Sequence, residues 1–101
     1  MGGIAVPGSI DGRVTSVSPV GNLVTDIAVE RLREVPRDER TSITCDEHMT
    51  VGLFGQDHQE PPMTFLGLLG ESGFLELCMV GDHAGMMLGI RPGEKVVVRW
   101  T

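Results

Sequence analysis

Residues 70–90 read GESGFLELCMVGDHAGMMLGI, and this stretch carries the clearest structural signals of the chain. It opens with a tight turn at residues 70–73, where two glycines enclose a glutamate and a serine. Glycine and serine favour such turns, because glycine accepts positive φ and serine bonds to the nearby backbone. The apolar run at residues 74–80 then predicts a strand. The stretch therefore predicts a turn followed directly by a buried strand.

The second half of the stretch predicts a short helix. Asp82 can accept from the free amides of a first turn, so we expect it to cap a helix over residues 83–88. Gly89 suits the left-handed conformation that ends many helices. We interpret the cluster Met86, Met87 and Leu88 on this helix as core packing rather than as a partner groove. Beyond the helix, residues 91–94 read RPGE, which is typical of a type II turn.

Short apolar segments separated by glycine and proline continue outward from this stretch in both directions. Pro36 is expected to end a helix over residues 28–34, because proline lacks the amide proton of a helix interior. Residues 46–48 are expected to join two strands as a hairpin, and the polar residues 55–62 form a loop. Besides the strand at 74–80, strands are predicted at residues 10–17, 22–27, 41–45, 49–54, 64–69 and 95–100. The fold class is mainly β: a small antiparallel β-barrel of about seven short strands with one or two short helices.

Length and composition fit one domain. The 101 residues are 41% hydrophobic, enough for a single modest core, and we treat residues 1–101 as one domain. Only three Phe and one Trp are present and Tyr is absent, so the core is expected to be aliphatic. The small residues at 1–8 predict a flexible arm.

Charge and cysteine content narrow the classes of partner. The formal net charge is −6, whereas a phosphate-binding surface needs positive charge, so we expect no nucleic-acid partner. No apolar run approaches the roughly 20 residues of a spanning helix, so no membrane role is expected either. Cys45 and Cys78 lack the spacing of a disulfide or zinc motif, which favours reduced thiols and a cytoplasmic location.

Metal and catalytic chemistry have weak support in the sequence. Cys45, His48, Asp57 and His58 are ligand-type residues in neighbouring segments, but only Cys45 and His48 have a zinc-like spacing. We interpret them as solvated hairpin residues and predict no metal site. A Cys/His nucleophile pair would need a positive environment, which an acidic chain does not favour. His83 is better read as a helix-start residue than as a general base, and no catalytic residue is predicted.

Two blocks, roughly residues 12–27 and 65–100, carry a resemblance to a known family. Their motifs are SPVGNLVTDI at residues 18–27 and the stretch at residues 70–90 quoted above. Together they resemble the C-terminal domain of the S-adenosylmethionine hydroxide adenosyltransferases, the family that includes the fluorinating and chlorinating enzymes. The family motif in the first block has Asp, Phe and a second Asn where this chain has Ser18, Val20 and Asp26. In the second block the alignment runs without a gap over about twenty residues.

The resemblance implies an adenosyl-ligand site. Asn22 would recognise the adenine edge, because a carboxamide offers a donor and an acceptor side by side. Phe54 would stack on the ring, Val20 stands where an aromatic wall is usual, and main-chain groups near Met79 and Gly81 would close the adenine pocket. A purely structural role is the alternative for both residues, because Asn is common in turns and Phe is common in cores.

The turn at Glu71 and Ser72 would face the amino-acid end of the ligand. Glu71 departs from the family pattern, where a small hydroxyl residue is usual. Its carboxylate would attract the ammonium group of the ligand and repel its carboxylate. Ser72 can alternatively be explained by turn chemistry alone.

Three functions remain open at this stage. The first is a stand-alone module that binds S-adenosylmethionine or adenosine, with no cofactor and without the catalytic N-terminal domain of the family. The second is a structural or oligomerising β-barrel, with a trimer as the family expectation, whose pocket has decayed. The third is one subunit of a split S-adenosylmethionine hydrolase, completed by a partner resembling that N-terminal domain. Because the family's catalytic groups lie mostly on the other domain, we expect no independent enzyme activity.

Overall fold

The computed structural model describes residues 7–101. They form eight strands, one 3-10 helix at Val29–Leu32 and one α-helix, α1, at Ala84–Leu88. The strands are β1 (Gly8–Val17), β2 (Leu23–Ala28), β3 (Thr41–Cys45), β4 (His48–Val51), β5 (Leu53–Phe54), β6 (Phe65–Leu69), β7 (Phe74–Met79) and β8 (Lys95–Trp100). The prediction of a mainly β barrel is confirmed.

All eight strands belong to one sheet that closes almost completely into a barrel. The strand order is β4-β3-β8-β1-β2-β7-β6-β5, and every neighbouring pair is antiparallel except β5 with β6. The two edge strands, β4 and β5, are consecutive in the chain. The chain itself therefore crosses the gap between the two edges of the sheet.

Gly52 makes this crossing, and it explains why eight strands form instead of seven. The predicted strand at residues 49–54 is split there, because Gly52 has φ +85°, a conformation that disfavours other residues. β4 then pairs with β3 on one side, and β5 pairs with β6 on the other. The Thr50 hydroxyl donates to the Phe65 carbonyl at 2.7 Å and so links β4 to β6 across the gap.

The core inside the barrel is aliphatic, as composition predicted. Its buried members come from every strand except β4, and no phenylalanine or tryptophan is fully buried among residues 7–101. The largest enclosed side chains of this core include Leu23, Ile27, Ile43, Leu75 and Leu77. A side chain at position 67 on β6 would overlap Ile43. Glycine at this position therefore lets the core pack without steric overlap.

The first predicted helix is mostly absent. Residues 28–34 form only the 3-10 helix Val29–Leu32, because Ala28 still pairs with Phe74 and the Val29 amide donates to Gly73 O at 2.9 Å. The second helix is present, but its cap is His83 rather than Asp82: the His83 side chain accepts from the Met86 amide. Asp82 instead accepts from the His83 amide at 2.7 Å.

Of the three residues of α1 predicted to pack in the core, only Leu88 packs against it. The Met86 and Met87 side chains are 79% and 46% exposed, because α1 turns Ala84 inward and its methionines outward. The predicted arm at residues 1–8 lies outside the described residues up to position 6, and Gly8 already belongs to β1, where it pairs with Trp100. Within residues 7–101, no helix has the length and apolar character needed to cross a lipid bilayer.

Candidate functional site

Two adjoining recesses run along β7, from the turn before β2 and the turn after β7 at one end of this strand to the turn before β7 at its other end. The first recess has a volume of about 430 Å³, and its lining residues are Val20, Asn22, Gln56, His58, Leu68, Cys78, Met79, Gly81 and Asp82. The second has a volume of about 330 Å³, and its lining residues are Ser18, Pro19, Val20, Asn22, Gln56, Glu71, Ser72 and Glu76. Three residues, Val20, Asn22 and Gln56, line both. Both volumes lie within the roughly 300–1,000 Å³ typical of small-molecule sites.

A buried carboxylate joins the two glycine-rich corners. Asn22 Nδ2 donates to Glu76 Oε1 at 3.0 Å, and Ser72 Oγ donates to Glu76 Oε2 at 2.7 Å. Asn22 and Glu76 are only 8% and 7% exposed. Strand β2 pairs with β7, and Val24 lies opposite Glu76, so Asn22 at the start of β2 comes close to Glu76 in the middle of β7. The Glu76 carboxylate therefore links the turn before β2 to the turn before β7.

The space for Glu76 depends on Gly70. A Cβ at position 70 would overlap the Glu76 carboxylate and would lie 2.7 Å from its Cγ. The turn itself is closed by the Gly73 amide, which donates to Gly70 O at 3.1 Å, and by Ser72 Oγ, which accepts from the Phe74 amide at 3.3 Å. The glycine at position 70 thus has a packing role beside its turn role.

Asn22 keeps hydrogen-bonding capacity for a ligand. Its Nδ2 faces the Glu76 carboxylate, which orients the amide, and its backbone amide donates to Ser18 Oγ at 3.1 Å. The hydrogen bonds found among residues 7–101 leave its Oδ1 without a protein donor, and every fully buried side-chain polar atom in that range has a partner. The Oδ1 therefore reaches solvent, where it can accept a hydrogen bond from a ligand.

The turn after β7 packs directly against the turn before β2. Gly85 N donates to Gly21 O at 3.3 Å, and a Cβ on Gly21 would lie 2.5 Å from the ring of His83. Gly21 also has φ +93°, so glycine is needed here for conformation and for close approach. In this turn the Asp82 amide donates to Met79 O at 3.0 Å, so that carbonyl is already occupied.

Six of the seven predicted ligand-binding residues line the two recesses. Met79 and Gly81 line the first, Glu71 and Ser72 line the second, and Val20 and Asn22 line both. Phe54 does not. It lies on β5, and its ring instead forms an edge-to-face contact with His58, at 6.4 Å between ring centres.

Several lining residues were not predicted to line a ligand site. Gln56 and His58 lie on the loop after β5, whose polar composition indicated a loop but not its path over the recess. Gln56 Nε2 donates to Leu69 O at 3.3 Å, and His58 Nδ1 accepts from the Glu60 amide at 3.1 Å. Glu76 lies within the stretch at residues 70–90 but was not predicted as a site residue. Its apolar neighbours on β7 are the sequence signal that could have indicated its burial.

Both cysteines are free thiols with suppressed acidity. Burial, with smaller contributions from Glu94 and Asp46, raises the pKa of the Cys45 thiol to about 11. Burial and the nearby Glu76 carboxylate raise the pKa of Cys78 as well. Cys45 is buried in the core, whereas Cys78 is partly accessible and lines the first recess. Neither environment activates a nucleophile at neutral pH.

The part of the chain that the structure describes contains no cluster of three or more His, Cys, Asp or Glu side chains that could hold a metal ion. His48 Nε2 bonds to Leu88 O at 3.0 Å, which ties β4 to the end of α1. His58 lies against Phe54 instead of beside Cys45. The hairpin residues considered as metal ligands thus serve other contacts.

Comparison with known proteins shows the fold alone. No family model matches the chain, and no curated protein matches it. Among solved structures, it is similar to an uncharacterized conserved protein from Thermotoga maritima, with a TM-score of 0.70 and 18% identity. A conserved hypothetical protein from Thermus thermophilus is similar with a TM-score of 0.67 and 20% identity. In both cases 87% of this chain is covered but only 34% of the other chain. The chain thus spans about a third of the length of these structural relatives.

Proposed function

We propose that this domain binds an adenosyl ligand, S-adenosylmethionine or adenosine, in the two adjoining recesses, in the manner of the C-terminal domain of the S-adenosylmethionine hydroxide adenosyltransferases. The observation that carries the proposal is the buried contact of Asn22 with Glu76. It brings together the two sequence blocks on which the resemblance rests, and both blocks contribute to the walls of the same recesses.

The first recess suits a flat heterocycle with polar edges. Leu68, Met79 and the Cys78 thiol offer an apolar wall, and Asn22 Oδ1 offers an acceptor beside it. Sites for small molecules commonly combine apolar walls with a few fixed polar groups. An exocyclic amine such as that of adenine can donate to the Asn22 oxygen.

Catalysis would need groups from elsewhere. The recesses are lined by neither an activated thiol nor a metal-ligand cluster of described residues. Hydrolysis of S-adenosylmethionine would then require a second domain or a partner chain placed over the open side of the recesses. The structural relatives are more than twice as long as this chain, which supports an arrangement in which this fold is one part of a larger protein.

Cys78 provides a built-in test, because it lines the first recess while Cys45 does not. Alkylation by a small reagent at pH 9, followed by mass spectrometry, should modify Cys78 faster than Cys45. Millimolar adenosine should slow modification of Cys78 and leave that of Cys45 unchanged. Inosine, which has an oxygen in place of the exocyclic amine, is the matched control and should protect less. Equal rates with and without adenosine would contradict the proposal.

A structural role remains a second candidate, favoured by a separate observation. Several large apolar side chains are exposed, among them Met86 at 79%, Val20 at 71%, Met49 at 64% and Met63 at 56%. Exposed apolar groups of this kind can mark contact surfaces. Light scattering over a range of concentrations tests this role: a constant monomer mass would exclude self-assembly.

A further inference from the structure

The second recess is acidic. Glu71 and Glu76 both line it, and the remaining lining residues are uncharged, with neither lysine nor arginine among them. Glu71 is exposed at its rim, whereas Glu76 lies 7% exposed at its inner end. A positive group on a ligand would be attracted here, and a negative group would meet two carboxylates without a compensating cation.

The hydrogen bonds in this recess also favour a positively charged ligand group. Each oxygen of Glu76 accepts one hydrogen bond, Oε1 from Asn22 and Oε2 from Ser72, and a carboxylate oxygen can accept a further one. An ammonium group offers three donors and no acceptor. A carboxylate on the ligand offers acceptors alone, so it would compete with Glu76 for the Ser72 hydroxyl.

The first recess differs in character from the second. Leu68, Cys78 and Met79 form its apolar part, and it is lined by one acid, Asp82, where the second recess is lined by two. The shared residues Val20, Asn22 and Gln56 make the two recesses continuous. One ligand can therefore place an uncharged ring in the first recess and a charged arm in the second.

From these contacts we infer that the site selects nucleosides whose side arm ends in a cation and carries no carboxylate. This inference rests on the proposed function and specifies its ligand class. It distinguishes the chain from a site built for an amino-acid arm, which has both an ammonium and a carboxylate to hold. Glu71 is the residue that sets this selectivity, because its carboxylate lies at the rim of the second recess and has no ion-pair partner among the described residues.

Calorimetry with three probes tests the inference: adenosine, S-adenosylmethionine and decarboxylated S-adenosylmethionine. The last two differ only in the carboxylate. The decarboxylated compound should bind about fivefold more tightly than S-adenosylmethionine at low salt, the upper range for an exposed charge pair. Raising the salt to about 0.5 M should shrink that ratio, because ions screen exposed charges.

Two matched variants locate the effect. Glu71→Gln keeps the side-chain size and should reduce the ratio to about twofold. Glu47→Gln makes the same change of net charge on the exposed β3–β4 turn and should leave the ratio unchanged. If adenosine binds but the decarboxylated compound binds no more tightly than S-adenosylmethionine, the selectivity is wrong while the proposed function stands. If none of the three binds at millimolar concentration, both are wrong.

Discussion

Asn22 and Glu76 lie 54 positions apart in the chain and are joined by a hydrogen bond of 3.0 Å between Nδ2 and Oε1, with both side chains more than nine-tenths buried. The bond connects the start of β2 to the middle of β7, beside both recesses. It therefore belongs both to the stability of the fold and to the shape of the candidate site.

Replacing Asn22 should test this double role. Asn22→Ala removes one of the two donors to a buried carboxylate, so the free energy of unfolding should fall by about 1–3 kcal/mol. Asn22→Asp should lower the free energy of unfolding further than Asn22→Ala at pH 7, because it places two carboxylates in contact and raises the pKa of one of them. Its extra loss should be present at pH 7 and shrink as the pH falls toward 5. Urea denaturation at both pH values measures this, and an Asn22→Asp loss that does not depend on pH would contradict the contact.

Gly70 should be intolerant of alanine because of Glu76. The added Cβ would overlap the Glu76 carboxylate, so Gly70→Ala should destabilise the protein by about 1–3 kcal/mol. In the double variant Gly70→Ala with Glu76→Ala the overlap is gone, and the combined loss should be smaller than the sum of the single losses. Gly55→Ala is a milder control, since its Cβ would meet only the end of the Asp57 side chain. Additive losses would show that Gly70 acts through the turn alone.

Thr50 should contribute to barrel closure. Its hydroxyl donates to Phe65 O at 2.7 Å across the gap between β4 and β6, so Thr50→Val should reduce the free energy of unfolding by about 1 kcal/mol. Thr15→Val is the matched control: its exposed hydroxyl donates to Val24 O at 3.2 Å between strands that are already paired. Hydrogen exchange of β5 and β6 amides should accelerate in the Thr50 variant and remain unchanged in the Thr15 variant.

Alkaline pH should destabilise the fold through Cys45. Burial raises the pKa of this thiol from 9.0 to about 11, so the unfolded chain loses the proton first. The stabilising contribution is complete below pH 9 and is lost as the pH rises through 11. Over that window the free energy of unfolding should fall by about 2 kcal/mol.

The composition makes this titration easy to isolate. Tyr is absent and Lys95 is the only lysine, so few other groups change charge between pH 9 and 11. Cys45→Ala should flatten the dependence on pH even though it lowers stability at every pH. Cys78→Ala should retain most of the slope, because Cys78 is only partly buried. A slope unchanged in the Cys45 variant would assign it to another group.

The sequence predicted most of the sheet because glycine and proline separate its strands. The strands at 41–45 and 95–100 agree with the prediction residue for residue, and Gly89 ends α1 in the left-handed conformation as expected. The sequence did not predict that the strand at residues 49–54 divides at Gly52, because this division depends on which edge of the sheet β4 and β5 each join. That choice is made by barrel closure and not by local pattern.

The prediction of a helix at residues 28–34 was wrong for a related reason. Its residue types favour a helix, but pairing of Ala28 with Phe74 and the bond from the Val29 amide to Gly73 hold the first residues in the sheet. Tertiary contacts outweigh helix propensity, which amounts to less than about 1 kcal/mol per residue.

The site was predicted in part. Residue types and a family resemblance indicated the corners around Asn22 and Ser72, and the structure places them together through Glu76. The position of Gln56 and His58 at the recess could not be anticipated, because the path of a polar loop over the barrel follows from the β5–β6 pairing. Phe54 was assigned by loose alignment, and its ring lies against His58 instead.

The most direct measurement is an adenosine titration of the 15N-labelled protein followed by two-dimensional NMR. The account predicts saturable shifts of the Asn22 and Gln56 side-chain amides and of the Gly21 and Gly81 backbone amides, with the amides of the β3–β4 turn unchanged. Shifts confined to other parts of the barrel, or none at millimolar adenosine, would contradict it.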